Sequence, residues 1–113
     1  MVDLTKLIGK KVKGVIDRPL SSHHPIYKDM IYQVNYGYIP GLIGGDNEPQ
    51  DAYFLGVAVP VDEFEGVVIA VVHRLNDVED KLVVAPNGIK FSKEEIEELI
   101  YFQEQYFEHV IIM

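Results

Sequence analysis

The chain has 113 residues, with 10 Lys plus Arg against 18 Asp plus Glu, four His and no Cys, for a formal net charge of −8. That length supplies one domain, residues 1–113, with a single modest core. The acidic balance disfavours nucleic-acid and anionic-membrane partners, and the lack of Cys excludes disulfides, thiolate metal sites and cysteine nucleophiles.

The opening MVDLTKLIGKK has no apolar stretch of signal-peptide length, and the longest apolar run, 67–72, is too short for a bilayer, so a soluble cytoplasmic protein is expected. Short runs rich in β-branched and aromatic residues, bounded by Gly, Pro, Asn and Asp, predict strands at 11–17, 31–38, 53–59, 66–74 and 81–85. Their spacing suits a small sandwich or barrel. The stretch GVVIAVV at 66–72 is apolar on both faces, which predicts a central strand covered on both sides. The cover is expected from the C-terminal segment. There Ser92 precedes Lys93, Glu94 and Glu95 in a capping-box pattern, and Ile96, Leu99, Ile100 and Tyr106 follow at amphipathic-helix spacing. Glu94, Glu95, Glu97 and Glu98 fall in the first turns, where the helix dipole favours negative charge, so they need no catalytic role.

Chemistry concentrates in two acidic segments. The stretch GGDNEPQD at 44–51 crowds Asp46, Glu48 and Asp51. Carboxylates held close raise one another's pKa unless a cation pairs with them, and Mg²⁺ or Ca²⁺ suits oxygen ligands. The same stretch also has the composition of a turn. The second segment is Asn76-Asp77-Val78-Glu79-Asp80-Lys81. If extended, it projects Asp77, Glu79 and Lys81 to one face and Asp80 to the other; otherwise it is a polar hairpin tip. In Asn35-Tyr36-Gly37-Tyr38 both phenols share a strand face, suited to contacting phosphate oxygens or to packing. His23 and His24 are adjacent and point apart on a strand, which disfavours a zinc site.

NYGYIPG, GGDNEPQDAYFLG and NDVEDKLVVAP together resemble the soluble family I inorganic pyrophosphatases, whose signature runs D-[SGDN]-D-[PE]-[LIVMF]-D. Asp46, Asn47, Pro49 and Asp51 fit it, while Glu48 stands where the family has Asp and Gln50 where it has an apolar residue. The likeness covers most of the chain. It implies a mainly β (α+β) fold, a five-stranded OB-like closed barrel with a C-terminal amphipathic helix. The implied activity is a Mg²⁺-dependent hydrolase splitting diphosphate into two phosphates by metal-activated water.

Residue by residue, the resemblance implies that Asp46 and Asp51 are metal ligands, Asp51 also sitting beside the attacking water, with Glu48 helping to generate the nucleophile. Asp77 matches a further ligand, as does Glu79, with Asp80 its rival. Lys13 and Lys81 match phosphate-binding lysines, and Tyr36 and Tyr106 phosphate-contacting tyrosines. Val15 replaces an expected glutamate and Phe107 an expected lysine. Arg18, His24 and Lys28 are candidates for the family's arginine.

The expected partner is a small-molecule phosphoanhydride, with no nucleic acid and no membrane. A homo-oligomer is expected because Phe54, Phe64 and the tail at 110–113 offer apolar surface. Glu48, Val15 and Phe107 also support an alternative, a non-catalytic OB-like module binding a phosphorylated ligand or protein through a residual acidic metal loop. A calcium loop is a third reading, without the remainder of an EF-hand pattern. The hydrolase reading requires segments 46–51 and 77–81 to converge in space.

Overall fold

Six strands and one α-helix carry the fold in a computed structural model that describes residues 3–113. The strands are β1 Lys11–Arg18, β2 Asn35–Ile43, β3 Pro49–Phe54, β4 Glu63–Arg74, β5 Lys81–Ala85 and β6 His109–Ile112, with α1 Lys93–Glu104 between the last two. Hydrogen bonding runs β1-β2-β3-β5-β4 and returns from β4 to β1, which closes a five-stranded barrel as expected. All pairings are antiparallel except β3 with β5. At twelve residues, β4 is long enough to pair with β1 at its start, β5 in its middle and β6 at its end.

The barrel interior is apolar, filled by Ile16, Ile39, Ala52, Phe54, Phe64, Val68, Val71, Leu82 and Val84, with Leu4 packed against them. A second cluster lies outside the barrel wall, where Ile96 and Ile100 of α1 cover Tyr53, Ala70, Val72 and Val83. Between Val68 and Ala70 the β4–β5 register shifts, so the two residues enter opposite clusters although two positions apart. That bulge and the helix together explain why GVVIAVV is apolar throughout. The predicted cap forms: the Ser92 N–H donates to Glu95 Oε1 at 2.9 Å, and the Glu95 N–H donates to Ser92 Oγ at 3.1 Å.

Several boundaries differ from expectation. β2 begins at Asn35 and runs through Pro40, which sits where the β2–β3 register shifts between Ile39 and Ile43, a place proline tolerates. β3 ends at Phe54 because Gly56 turns the chain with φ +88°. Pro49 to Asp51, read as loop, already belong to that strand. Tyr106 lies past the end of α1 and is exposed rather than on its buried face. Phe54 and Phe64 stack inside the barrel with centroids 5.3 Å apart, so of the anticipated apolar surface only Val110, Ile112 and Met113 is exposed. No described helix is long and apolar enough to cross a membrane.

β6 is held to α1 by His109, whose Nε2 lies 2.7 Å from Glu97 Oε2 while Nδ1 faces the Phe107 carbonyl oxygen at 2.9 Å. Burial disfavours the charged imidazole, but Glu97, the Phe107 carbonyl and Glu104 outweigh it and raise the pKa above 6.5. A folded pKa above the unfolded value stabilises fully below about 6.5 and fades as pH rises through the folded value. The stability difference between wild type and His109→Gln, from urea unfolding, is therefore expected to be larger at pH 5.5 than at pH 8.5. Equal differences would remove the pair from the account.

Candidate functional site

Register brings the two acidic segments together. In the parallel β3–β5 pair Ala52 faces Leu82, so the preceding outward residues, Asp51 and Lys81, lie side by side on the barrel wall. Tyr38 of β2 pairs with Asp51 and Tyr36 with Tyr53, which carries the Tyr36 phenol to the same spot. Further along the chain, the Gln50 amide donates to the Asp80 carbonyl at 2.6 Å, and a Cβ on Gly45 would collide with the Val78 carbonyl oxygen. Segments 46–51 and 77–81 are thus in direct contact.

At the centre is Lys81, its side chain 3% exposed, with the ammonium 2.8 Å from Asp51 Oδ2 and 2.9 Å from Glu79 Oε2. The Tyr36 hydroxyl donates to the same Asp51 oxygen at 2.9 Å. Burial, followed by the Asp51 charge, pushes the Tyr36 pKa well above 10, so it remains a neutral donor at physiological pH. Asp46 completes the group. Its carboxyl, close to that of Glu79, is the main cause of a raised Glu79 pKa, helped by burial and opposed by Lys81, and Glu79 in turn lowers Asp46. The Asp46 carboxylate also caps its own loop by accepting the Glu48 N–H at 3.1 Å, with Asn47 at φ 67° in the turn.

Arg74 approaches from the end of β4. Its guanidinium, 4% exposed, is bidentate to Glu104 of α1 at 3.0 and 2.7 Å, reaches Asp77 Oδ2 at 3.2 Å and lies 3.8 Å from Glu79 Oε2. Its other side covers the Phe107 ring at 3.6 Å. Burial disfavours its charge, but the Glu104 bonds outweigh this and raise its pKa. Tyr53 donates to Glu104 at 2.6 Å and accepts from Gln103 at 2.7 Å, so the network is satisfied inward from the cleft. Phe107, in the position matched to a lysine, thus carries a cation from β4 on its face.

A cleft of about 860 Å³ opens here, lined at one end by Asp51, Glu79, Lys81 and Arg74, with Tyr36, Tyr106 and Phe107 also on its walls. Asp17 and Arg18 of β1 line it too, and sequence reasoning had no role for Asp17. Burial raises the Asp17 carboxyl, against the adjacent Arg18 guanidinium and with Asp51 adding repulsion. Among the remaining sequence candidates, Lys13 is outside the cleft, paired with Glu65 at 3.8 Å and largely exposed. Asp80 turns the other way, accepting from the Arg74 N–H at 3.1 Å with His73 Nδ1 at 3.0 Å. Glu48 is exposed at its loop tip, and Asp77 accepts the Val78 N–H at 2.6 Å in addition to Arg74. No three acids or histidines among the described residues form a ready ligand shell.

No protein-family model matches the chain, and no curated protein matches it by sequence. Solved structures do match. An inorganic pyrophosphatase from Helicobacter pylori aligns with TM-score 0.66 and 20% identity over 85% of this chain and 75% of that one. Inorganic pyrophosphatases from Ehrlichia chaffeensis (TM-score 0.67, 16% identity, 90% and 84% covered) and Coxiella burnetii (0.65, 15%, 92% and 84%) align similarly. The chain therefore has the fold of these enzymes, an OB-like barrel with a C-terminal helix.

Proposed function

We propose that the chain is a short, divergent family I soluble inorganic pyrophosphatase, a Mg²⁺-dependent hydrolase of diphosphate. The observation that carries this reading is the meeting of Asp46, Asp51 and Glu79 around Lys81 in one depression, beside a cleft that Asp51, Glu79 and Lys81 also line, in a barrel of this fold. Asp46, Asp51 and Glu79, which line one depression around Lys81, are hard oxygen donors of the type Mg²⁺ takes through one or two carboxylates plus phosphate. These three residues are the proposed metal ligands. Asp77 and Asp80 are assigned to holding Arg74 and the β4–β5 turn. When bound, Mg²⁺ would neutralise phosphate oxygens and acidify a water.

The chain's own groups do the rest. Lys81 and Arg74 supply fixed positive charge toward phosphate, and Tyr36 supplies a neutral donor. Asp51 uses Oδ2 for both of its bonds among the described residues, which leaves Oδ1 as the oxygen open to a metal ion or to a water. The same reading makes the protein cytoplasmic and homo-oligomeric, with Val110 and Ile112 of β6 as the surface for contact.

A second reading has specific support. Asp51, Glu79 and Asp77 already have internal cations in Lys81 and Arg74, and Glu48 stands apart, as a phosphate-binding module without turnover would allow. Phosphate release from diphosphate with and without Mg²⁺ separates the two: the enzyme reading expects metal-dependent release, and binding without release favours the module. Gly45→Ala should act on the same readout. A methyl group against the Val78 carbonyl pushes the acidic segments apart, and displacements near 1 Å cost roughly 100-fold in rate. Release by Gly45→Ala within a few-fold of wild type would show that the contact is not needed.

A further inference from the structure

The cleft is far larger than two phosphate groups require. At about 860 Å³ it falls in the range of sites for whole small molecules, roughly 300–1,000 Å³. Asp51, Glu79, Lys81 and Arg74 gather at one end, and Asp17, Arg18 and Asp29 also line the cleft. The other end is walled by His24, Tyr27, Tyr32, Met30 and Phe102, with Tyr106 beside them.

The rings form a continuous path toward the acids. Tyr27 and His24 have centroids 5.2 Å apart, and His24 lies nearly parallel to Tyr32, 8° between planes at 6.2 Å. Tyr32 is 5.6 Å from Tyr36, and the Tyr36 hydroxyl reaches Asp51. The His24 ring is fixed, because Nδ1 accepts the N–H groups of Ile26 and Tyr27, both at 3.1 Å, which leaves the ring proton on Nε2. Tyr27 and Tyr106 are 69% and 68% exposed, so large aromatic surface faces solvent. Fixed or half-fixed rings at this density beside an anion-handling centre are what stacking of a base uses. Arg18 adds a buried Nε with no partner among the described residues, a donor left over on the same cleft.

We propose that the aromatic end receives a nucleobase, making the substrate a nucleoside di- or triphosphate whose phosphates lie at Asp51, Lys81 and Arg74. This rests on the reading that the acidic end handles a phosphoanhydride. The step is addition of water to the terminal phosphorus with cleavage of its bond to the bridging oxygen. A nucleoside diphosphate and water then give a nucleoside monophosphate, orthophosphate and a proton. A bare diphosphate would occupy the acidic end and leave the rings uncovered.

The test compares ADP with methyl diphosphate, which has the same anhydride and no base, by calorimetry in Mg²⁺ on the full chain and by phosphate release. ADP is expected to bind roughly tenfold more tightly, the scale of one stacked base. His24→Ala and Tyr27→Ala should each shrink that ratio several-fold, with circular dichroism confirming that the barrel persists. Equal affinities, or a ratio that survives both substitutions, overturn the proposal. If methyl diphosphate and diphosphate are hydrolysed without an ADP advantage, the proposal fails while the hydrolase reading stands. An ADP advantage without turnover of any of the three sustains the aromatic site and sinks the hydrolase reading. Absence of binding by all three ends both.

Discussion

Asp51→Asn is expected to cut Mg²⁺-dependent phosphate release by roughly 100- to 1,000-fold, the usual cost of deleting one preorganised electrostatic partner at a reacting centre. Asp51 accepts from Lys81 at 2.8 Å and from Tyr36 at 2.9 Å through one oxygen, and it is a proposed ligand besides. An amide of the same shape keeps one acceptor and turns the other into a donor, losing the charge that both neighbours complement. The fold should survive, since Lys81 keeps Glu79 at 2.9 Å and the Asp51 side chain is about a third exposed. The comparison is Asp80→Asn, in the β4–β5 connection, which should cost at least tenfold less because Asp80 bonds His73 and the Arg74 N–H outside the cleft. Steady-state phosphate release on the two variants checks both statements. Release by Asp51→Asn within a few-fold of wild type would remove Asp51 from the proposed reacting centre.

What could be read ahead of the structure was what is local. The β5 segment and the start of α1 follow from period and cap alone, and both form where period and cap place them. The two acidic segments were legible as contiguous motifs, and so was their neighbour Tyr36. β6 was not, because HVII reads as an apolar tail until β4, more than thirty residues earlier, offers its edge. Strand ends at β2 and β3 depended on how Pro40 and Gly56 are accommodated, which pairing decides and composition does not. The role of Arg74 was equally hidden, since its partner Glu104 lies 30 residues away. One signal was available. Ile96, Ile100 and Glu104 recur every fourth residue, so an acid occupied the buried stripe of the helix and required a cation opposite.

That pair leads to the largest stability effect expected anywhere in the chain. Glu104→Gln should destabilise the protein by about 3–5 kcal/mol, a large share of the roughly 5–15 kcal/mol that holds a domain of this size. Glu104 is fully buried and Arg74 nearly so, and the two are joined by bonds of 3.0 and 2.7 Å. Removing the carboxylate leaves the guanidinium with only Asp77 at 3.2 Å and Glu79 at 3.8 Å, both on the wetter side. Glu104 also occupies the last turn of α1, where the helix dipole opposes an anion. It is held there by Arg74 and by the Tyr53 hydroxyl, not by any preference of the helix. Replacing both ions, Arg74→Met with Glu104→Leu, should return much of the lost stability, because an apolar pair of similar volume leaves no charge to desolvate. The same double variant should not recover phosphate release, since it removes the guanidinium from the cleft. Urea unfolding with an unchanged slope measures the first effect, and release by the double variant measures the second. A loss under about 1 kcal/mol in Glu104→Gln would class the bond with exposed ion pairs and undo the argument that it anchors the cleft.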